Sequence, residues 1–135
     1  MMTMGEKAVK LHGEGCNCAQ SVLCALEEYT GLDMQTAKAV SALFGGGVRC
    51  GEVCGAVSGA AMAIGAVLSA DGNGAPTAPA VAQCQSLTGD FKKGYGCIRC
   101  AELVKAAGGK QRCPEFIAYC ANHAAEILEA AKTEA

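Results

Sequence analysis

The sequence predicts an all-α fold of five or six helices packed around one central, buried helix at residues 50–70. Three observations carry that expectation. Apolar residues recur at helical spacing in segment after segment between glycine breaks. Residues 53–70 carry no charge, as a buried element requires. Gly51, Gly55 and Gly59 recur every fourth residue, which places them on one helix face where bare backbone lets a second helix approach closely. Cys50, Cys54, Ser58 and Met62 form a parallel stripe beside them, so the central helix pairs a glycine groove with thiols along its edge. A membrane span is the rival reading of such a length, but the run is mainly Gly, Ala and Ser, with few large apolar side chains to favour lipid.

A chain of 135 residues is expected to form a single domain, 1–135, with enough length to bury a real core. Six residues are aromatic and none is Trp, so that core is drawn from Ala, Val, Leu and Cys. The net charge of −2 argues against nucleic acid or an anionic membrane as partner. The first residues lack the apolar run of a signal peptide, and a cytoplasmic location is expected.

Ten cysteines stand out. In a reducing compartment they point to metal binding, redox chemistry or small buried apolar residues rather than a disulfide framework. Taken in order, residues 5–12 form a short helix ended by Gly13 and Gly15. Asn17 is a good N-cap for the next helix, which puts Cys18 in its first turn. There the helix dipole favours an anion, so the Cys18 pKa is expected to tend downward. Cys24 falls on the opposite side and reads as an incidental, partly exposed thiol, whereas Cys16 is within reach of the Cys18 site. A helix over 34–44 follows, with Asp33 as cap and Ala37, Val40, Leu43 and Phe44 as its apolar face.

Gly45, Gly46 and Gly47 then interrupt the chain. A phosphate-cradling loop is conceivable there, but no Lys-Ser or Lys-Thr pair follows, so close packing beside the thiols explains them better. The turn at residues 71–76 ends the central helix. A further helix over 77–91 carries Val81, Cys84, Leu87 and Phe91 inward, with Cys84 read as core. Cys97-Ile98-Arg99-Cys100 is a Cys-x-x-Cys at a helix start, the layout of a reactive dithiol and half of a common metal site. Cys113 caps the last helix, with Pro114 at its first position. Cys120 reads as core, His123 as a flank residue rather than a ligand, and the tail from Ala130 as frayed.

These residues together resemble the C_GCAxxG_C_C family of redox-active proteins. The matching pieces are Asn17-Cys18-Ala19-Gln20, Phe44-Gly45-Gly46-Gly47, Cys54-Gly55-Ala56-Val57-Ser58-Gly59, Phe91, Gly96, Cys100-Ala101-Glu102-Leu103 and Cys113. The resemblance covers nearly the whole chain. It implies a small, largely helical bacterial or archaeal protein with four shared cysteines, which carry over here to Cys18, Cys54, Cys100 and Cys113. Six further cysteines depart from the pattern, and Cys16, Cys50 and Cys97 each sit within a turn of a family position.

The candidate redox residues are therefore Cys18, Cys54, Cys100 and Cys113, with Gly55 and Gly59 as candidate cofactor-facing positions. Three functions remain open. The first is thiol–disulfide exchange or electron transfer through the clustered cysteines. The second is an iron–sulfur cluster or zinc held by the same four thiolates, with Cys50 and Cys97 as further ligands. The third is a non-catalytic helical interaction protein. The expected partner is a redox protein or a small electron donor or acceptor, with pairing of two copies left open and membrane insertion not expected. Only two histidines exist, which excludes a His-rich metal site.

Overall fold

The computed structural model describes residues 2–69 and 73–134. Among them are nine helical segments, seven of them seven residues or longer, and no strand. The long segments are α1 (Met4–Gly13), α2 (Cys18–Ala25), α4 (Met34–Ser41), α5 (Gly55–Leu68), α6 (Ala78–Tyr95), α7 (Cys100–Ala107) and α8 (Cys113–Glu134). A single turn, α3 (Glu27–Thr30), and a π-type turn (Gly47–Gly51) complete the set. The all-α class holds, with more segments than expected because several are only one or two turns long. No helix of the described residues is long and apolar enough to cross a membrane.

Two helices share the middle of the fold. Helix α5 packs on α2, α3, α6 and α8, and α2 packs on α1, α3, α4, α5 and α8. Glycine makes the α2–α5 contact possible. A Cβ on Gly59 would stand 2.6 Å from the Ala19 carbonyl oxygen, and one on Gly55 would stand 2.9 Å from that of Phe44. Because α2 is surrounded, it has no outward side, and Cys24 is buried rather than partly exposed.

The central helix is shorter than residues 50–70. It starts at Gly55, because the preceding chain is left-handed: Gly46, Gly47, Val48 and Arg49 have φ of 68°, 65°, 57° and 61°. Cys50 and Gly51 therefore belong to the π-type turn, and Gly51 meets Ala101 of α7 instead of lying on the α5 stripe. Helix α5 ends at Leu68, and residues 70–72, including the start of the expected turn at 71–76, lie outside the described residues. Helix α4 stops at Ser41, so Leu43 lies beyond it, and both Leu43 and Val40, the latter within the helix, are on the surface instead of in the core. On α6, Leu87 and Phe91 are buried, Cys84 is half-buried and Val81 is exposed. That helix continues through Gly94 to Tyr95 and ends at Gly96, whose φ of 90° closes it. Helix α8 continues past Ala130 to Glu134.

Aromatic side chains are few and concentrated. Phe91, Tyr95, Phe116 and Tyr119 make a ring cluster with centroids 4.8 to 5.9 Å apart, joining α6 to the first turns of α8. Edge-to-face pairs of this kind add to simple burial. The Arg112 guanidinium covers Tyr95 and Phe116 and pairs with Glu115 at 2.8 Å. The start of α8, and with it Cys113, is held from several sides.

Candidate functional site

Four helices begin at one place. Cys18 is the first residue of α2, Cys100 of α7 and Cys113 of α8, and Cys54 is the N-cap of α5. Local sequence explains each start. Asn17 caps α2 in a reciprocal box with Gln20, each side chain bonding the other's backbone at 3.0 Å. The Asn17 amide also donates to the Ala42 carbonyl at 2.9 Å. Its side chain fills the space where a Cβ on Gly45 would sit, 2.5 Å from Asn17 Cγ. That is the close packing expected of the triple glycine.

Cys54 and Cys100 are joined by an isolated antiparallel bridge between Val53 and Arg99. The Cys54 amide donates to the Ile98 carbonyl and the Cys100 amide to the Glu52 carbonyl, both at 2.6 Å. Side chains alternate along such a ribbon, so Cys54 and Cys100 fall on one side of it, with Val53 and Arg99 on the other. Arg99 locks the outer face through Glu52 and Glu102, each at 3.0 Å.

Cys18, Cys54, Cys100 and Cys113 line one void of about 10 Å³, closed by Leu103, Val104, Phe116 and the Gly55 backbone. Cys50 and Cys97 do not line it. Cys50 is exposed on the π-type turn, its thiol donating to the Gly47 carbonyl at 3.5 Å, and Cys97 is half-buried against the core. Cys16 lies beside Cys24, close enough for their thiolates to repel, and does not line the void. Gly59 faces the backbone of α2, so its role is helix contact; Gly55 alone of the two reaches the void. Cys120 is fully buried, as a core residue should be, but it is also electrostatically coupled to Cys54 and Cys18. Its i+7 spacing from Cys113 on the same helix is the signal that could have placed it there. His123 bonds Asp90 at 2.8 Å, away from the thiols.

Burial dominates the electrostatics. It pushes the Cys18 thiol up to about 12, reinforced by repulsion from Cys113, Cys54 and Cys100. The expected downward shift from the helix dipole is thus outweighed by desolvation and by three neighbouring thiols. Burial likewise raises Cys54 to about 11, although the N–H groups of Ala56 and Val57 favour its thiolate without closing a full cap hydrogen bond. Cys113 is raised by burial and by Cys100, but two influences oppose that rise. The adjacent Cys18 thiol and the Lys110 ammonium both favour its thiolate. Of these three thiols, Cys113 alone has a cation among the groups that favour its thiolate.

The same convergence bears on a metal or cluster. Four thiolates are a suitable donor set for zinc or an iron–sulfur cluster. Their void, however, holds about one water at most, and among the described residues no three Cys, His, Asp or Glu are arranged to grip a metal ion. The glycines expected to make room instead admit Asn17, the Glu52 backbone and the α2 backbone. A void of that size does not admit a cluster unless the four thiols move apart.

No curated protein and no solved structure matches the chain. The family model described as "Putative redox-active protein (C_GCAxxG_C_C)" matches residues 16–127, and the chain belongs to that family.

Proposed function

We propose that the protein is a thiol–disulfide redox carrier in which Cys113 and Cys18 form the exchanging pair and Cys54 and Cys100 a second pair behind it. The observation that carries this reading is the convergence of all four thiols on one void, in which Cys18 and Cys113 are close enough to shift each other's ionisation. In the reaction, the Cys113 thiolate attacks one sulfur of a substrate disulfide, whose S–S bond breaks. The released thiolate takes up a proton. Cys18 then loses its proton and attacks the Cys113 sulfur, releasing the second substrate thiol. Two protein thiols become one disulfide, and one substrate disulfide becomes two thiols. Cys54 and Cys100 can return the first pair to the dithiol by the same exchange, becoming oxidised in turn, and an external dithiol reductant completes the cycle.

Oxidation of air-free protein tests this. The protein should be colourless and lose free thiols two at a time under mild oxidant, regaining them with dithiothreitol. Brown protein carrying stoichiometric iron and acid-labile sulfide, or colourless protein carrying stoichiometric zinc, would replace the dithiol reading with a metal centre. Thiols that react only after unfolding would contradict both.

A further inference from the structure

Beside the four-thiol void lies a second, larger cavity of about 190 Å³. Cys18, Cys100 and Cys113 form part of its lining, together with His12, Arg49 and Lys110. None of its lining residues is acidic, although the chain as a whole is net negative. Arg99 and Arg112 are each paired with a glutamate, whereas Arg49 and Lys110 have no ion pair among the described residues. Two cations thus stand uncompensated over the thiols.

The backbone beneath Arg49 supplies a second, independent observation. Val48 and Arg49 both have positive φ, at 57° and 61°. L-residues seldom adopt that conformation, and two in succession, one of them β-branched, are strained. Strain of this kind persists where the surrounding structure enforces it. Here the Glu52 amide bonds to the Gly47 carbonyl at 2.9 Å and ties the left-handed turn shut. Arg49, on this turn, and Lys110 both line the cavity.

We propose that this cavity receives one arm of a small, carboxylate-bearing disulfide, with its carboxylate between Arg49 and Lys110 and its sulfur against Cys113. The volume suits an amino-acid-sized arm, with the rest of the molecule outside. The proposal rests on the dithiol reading above and names its substrate class. The chemistry is the exchange already balanced: substrate disulfide plus protein dithiol gives two substrate thiols plus protein disulfide. Arg49 and Lys110 contribute binding, and Cys113 the attack.

The test compares rates of oxidation of the fully reduced protein by oxidised glutathione and by the uncharged 2-hydroxyethyl disulfide at low ionic strength. The acidic disulfide should be preferred by about tenfold, the value of roughly one charge-assisted hydrogen bond to carboxylate. Arg49→Gln should reduce the ratio by raising KM for oxidised glutathione, and Arg49→Lys should restore most of it; Lys110→Gln should reduce the ratio as well as slowing both disulfides through Cys113. Salt should narrow the preference by screening. Equal rates for the two disulfides in the unaltered protein, or an Arg49→Gln variant that slows both alike, would overturn the pocket while leaving the dithiol reading intact. Binding of S-methylglutathione, which cannot exchange, separates the other failure. If it binds through Arg49 but neither disulfide oxidises the protein, the substrate assignment falls together with the dithiol reading.

Discussion

Cys18 opens α2 and Cys113 opens α8, and the two thiols line the same void, close enough to shift each other's ionisation. The two residues are distant in sequence. They meet because α8 packs against α2 and because each helix start is pinned separately, one by the Asn17 capping box and the other by the aromatic cluster around Phe116.

That relationship orders the reactivity of the site. Cys113 is half-buried and raised by burial and by Cys100, a rise that Cys18 and Lys110 oppose, whereas Cys54 is buried and raised to about 11 and Cys18 to about 12. Within the four, iodoacetamide at pH 8 should label Cys113 before Cys54 and Cys18, as followed by peptide mass mapping. Lys110→Gln should slow Cys113 labelling. Earlier labelling of Cys54 would contradict this ordering.

The glycines of α5 should respond in opposite directions to the same substitution. Gly59→Ala places a Cβ against the Ala19 carbonyl oxygen at 2.6 Å. It should destabilise by about 1–3 kcal/mol through overpacking. Gly65→Ala meets nothing within 4 Å and lies inside the helix. It should stabilise by about 0.8–1 kcal/mol from helix propensity. Urea denaturation midpoints decide both, and like signs would refute the packing assignment.

Much of the fold and site is legible in the sequence because local chemistry determines it. Asn17, Asp33 and Thr77 cap helices as their types suggest, and Gly31, Gly96 and Gly108 end them in the left-handed conformation. The family cysteines at helix starts follow from those boundaries. The start of α5 was not legible, because positive φ at Val48 and Arg49 runs against residue preference and is imposed by tertiary contacts. Without that turn, Cys50 and Gly51 extend the helical period convincingly. Burial of Cys24 escaped the pattern for a different reason: a helix enclosed on all sides has no polar face to reveal its orientation.

The left-handed turn has its own stability signature. Val48→Gly replaces a β-branched residue at φ 57° with one that adopts this conformation freely. The gain, reduced by glycine's greater unfolded-state entropy, should be about 0.5–1 kcal/mol, measured by thermal or urea unfolding. Destabilisation would show that the Val48 side chain contributes more than its strain costs.

The raised thiol pKa values impose a pH dependence on stability. Unfolded thiols ionise near pH 8.5, whereas folded Cys54 and Cys18 hold their protons to about 11 and about 12. In that interval the unfolded state binds fewer protons, so stability falls as pH rises. The reduced protein's urea midpoint should be flat with respect to these thiols from pH 6 to 7.5 and decline from about pH 9 upward. Cys54→Ser should weaken the decline, and a midpoint that climbs through pH 9–11 would contradict the sign.

Disulfide mapping of protein oxidised by one equivalent of a disulfide oxidant tests the proposed exchange most directly. Peptides joined through Cys18 and Cys113 should dominate, and Cys18–Cys113 linkage should persist in Cys84→Ala and vanish in Cys113→Ser. A dominant first bridge between Cys16 and Cys24 or involving the surface thiol Cys50, with Cys18 and Cys113 both still reduced, would contradict it.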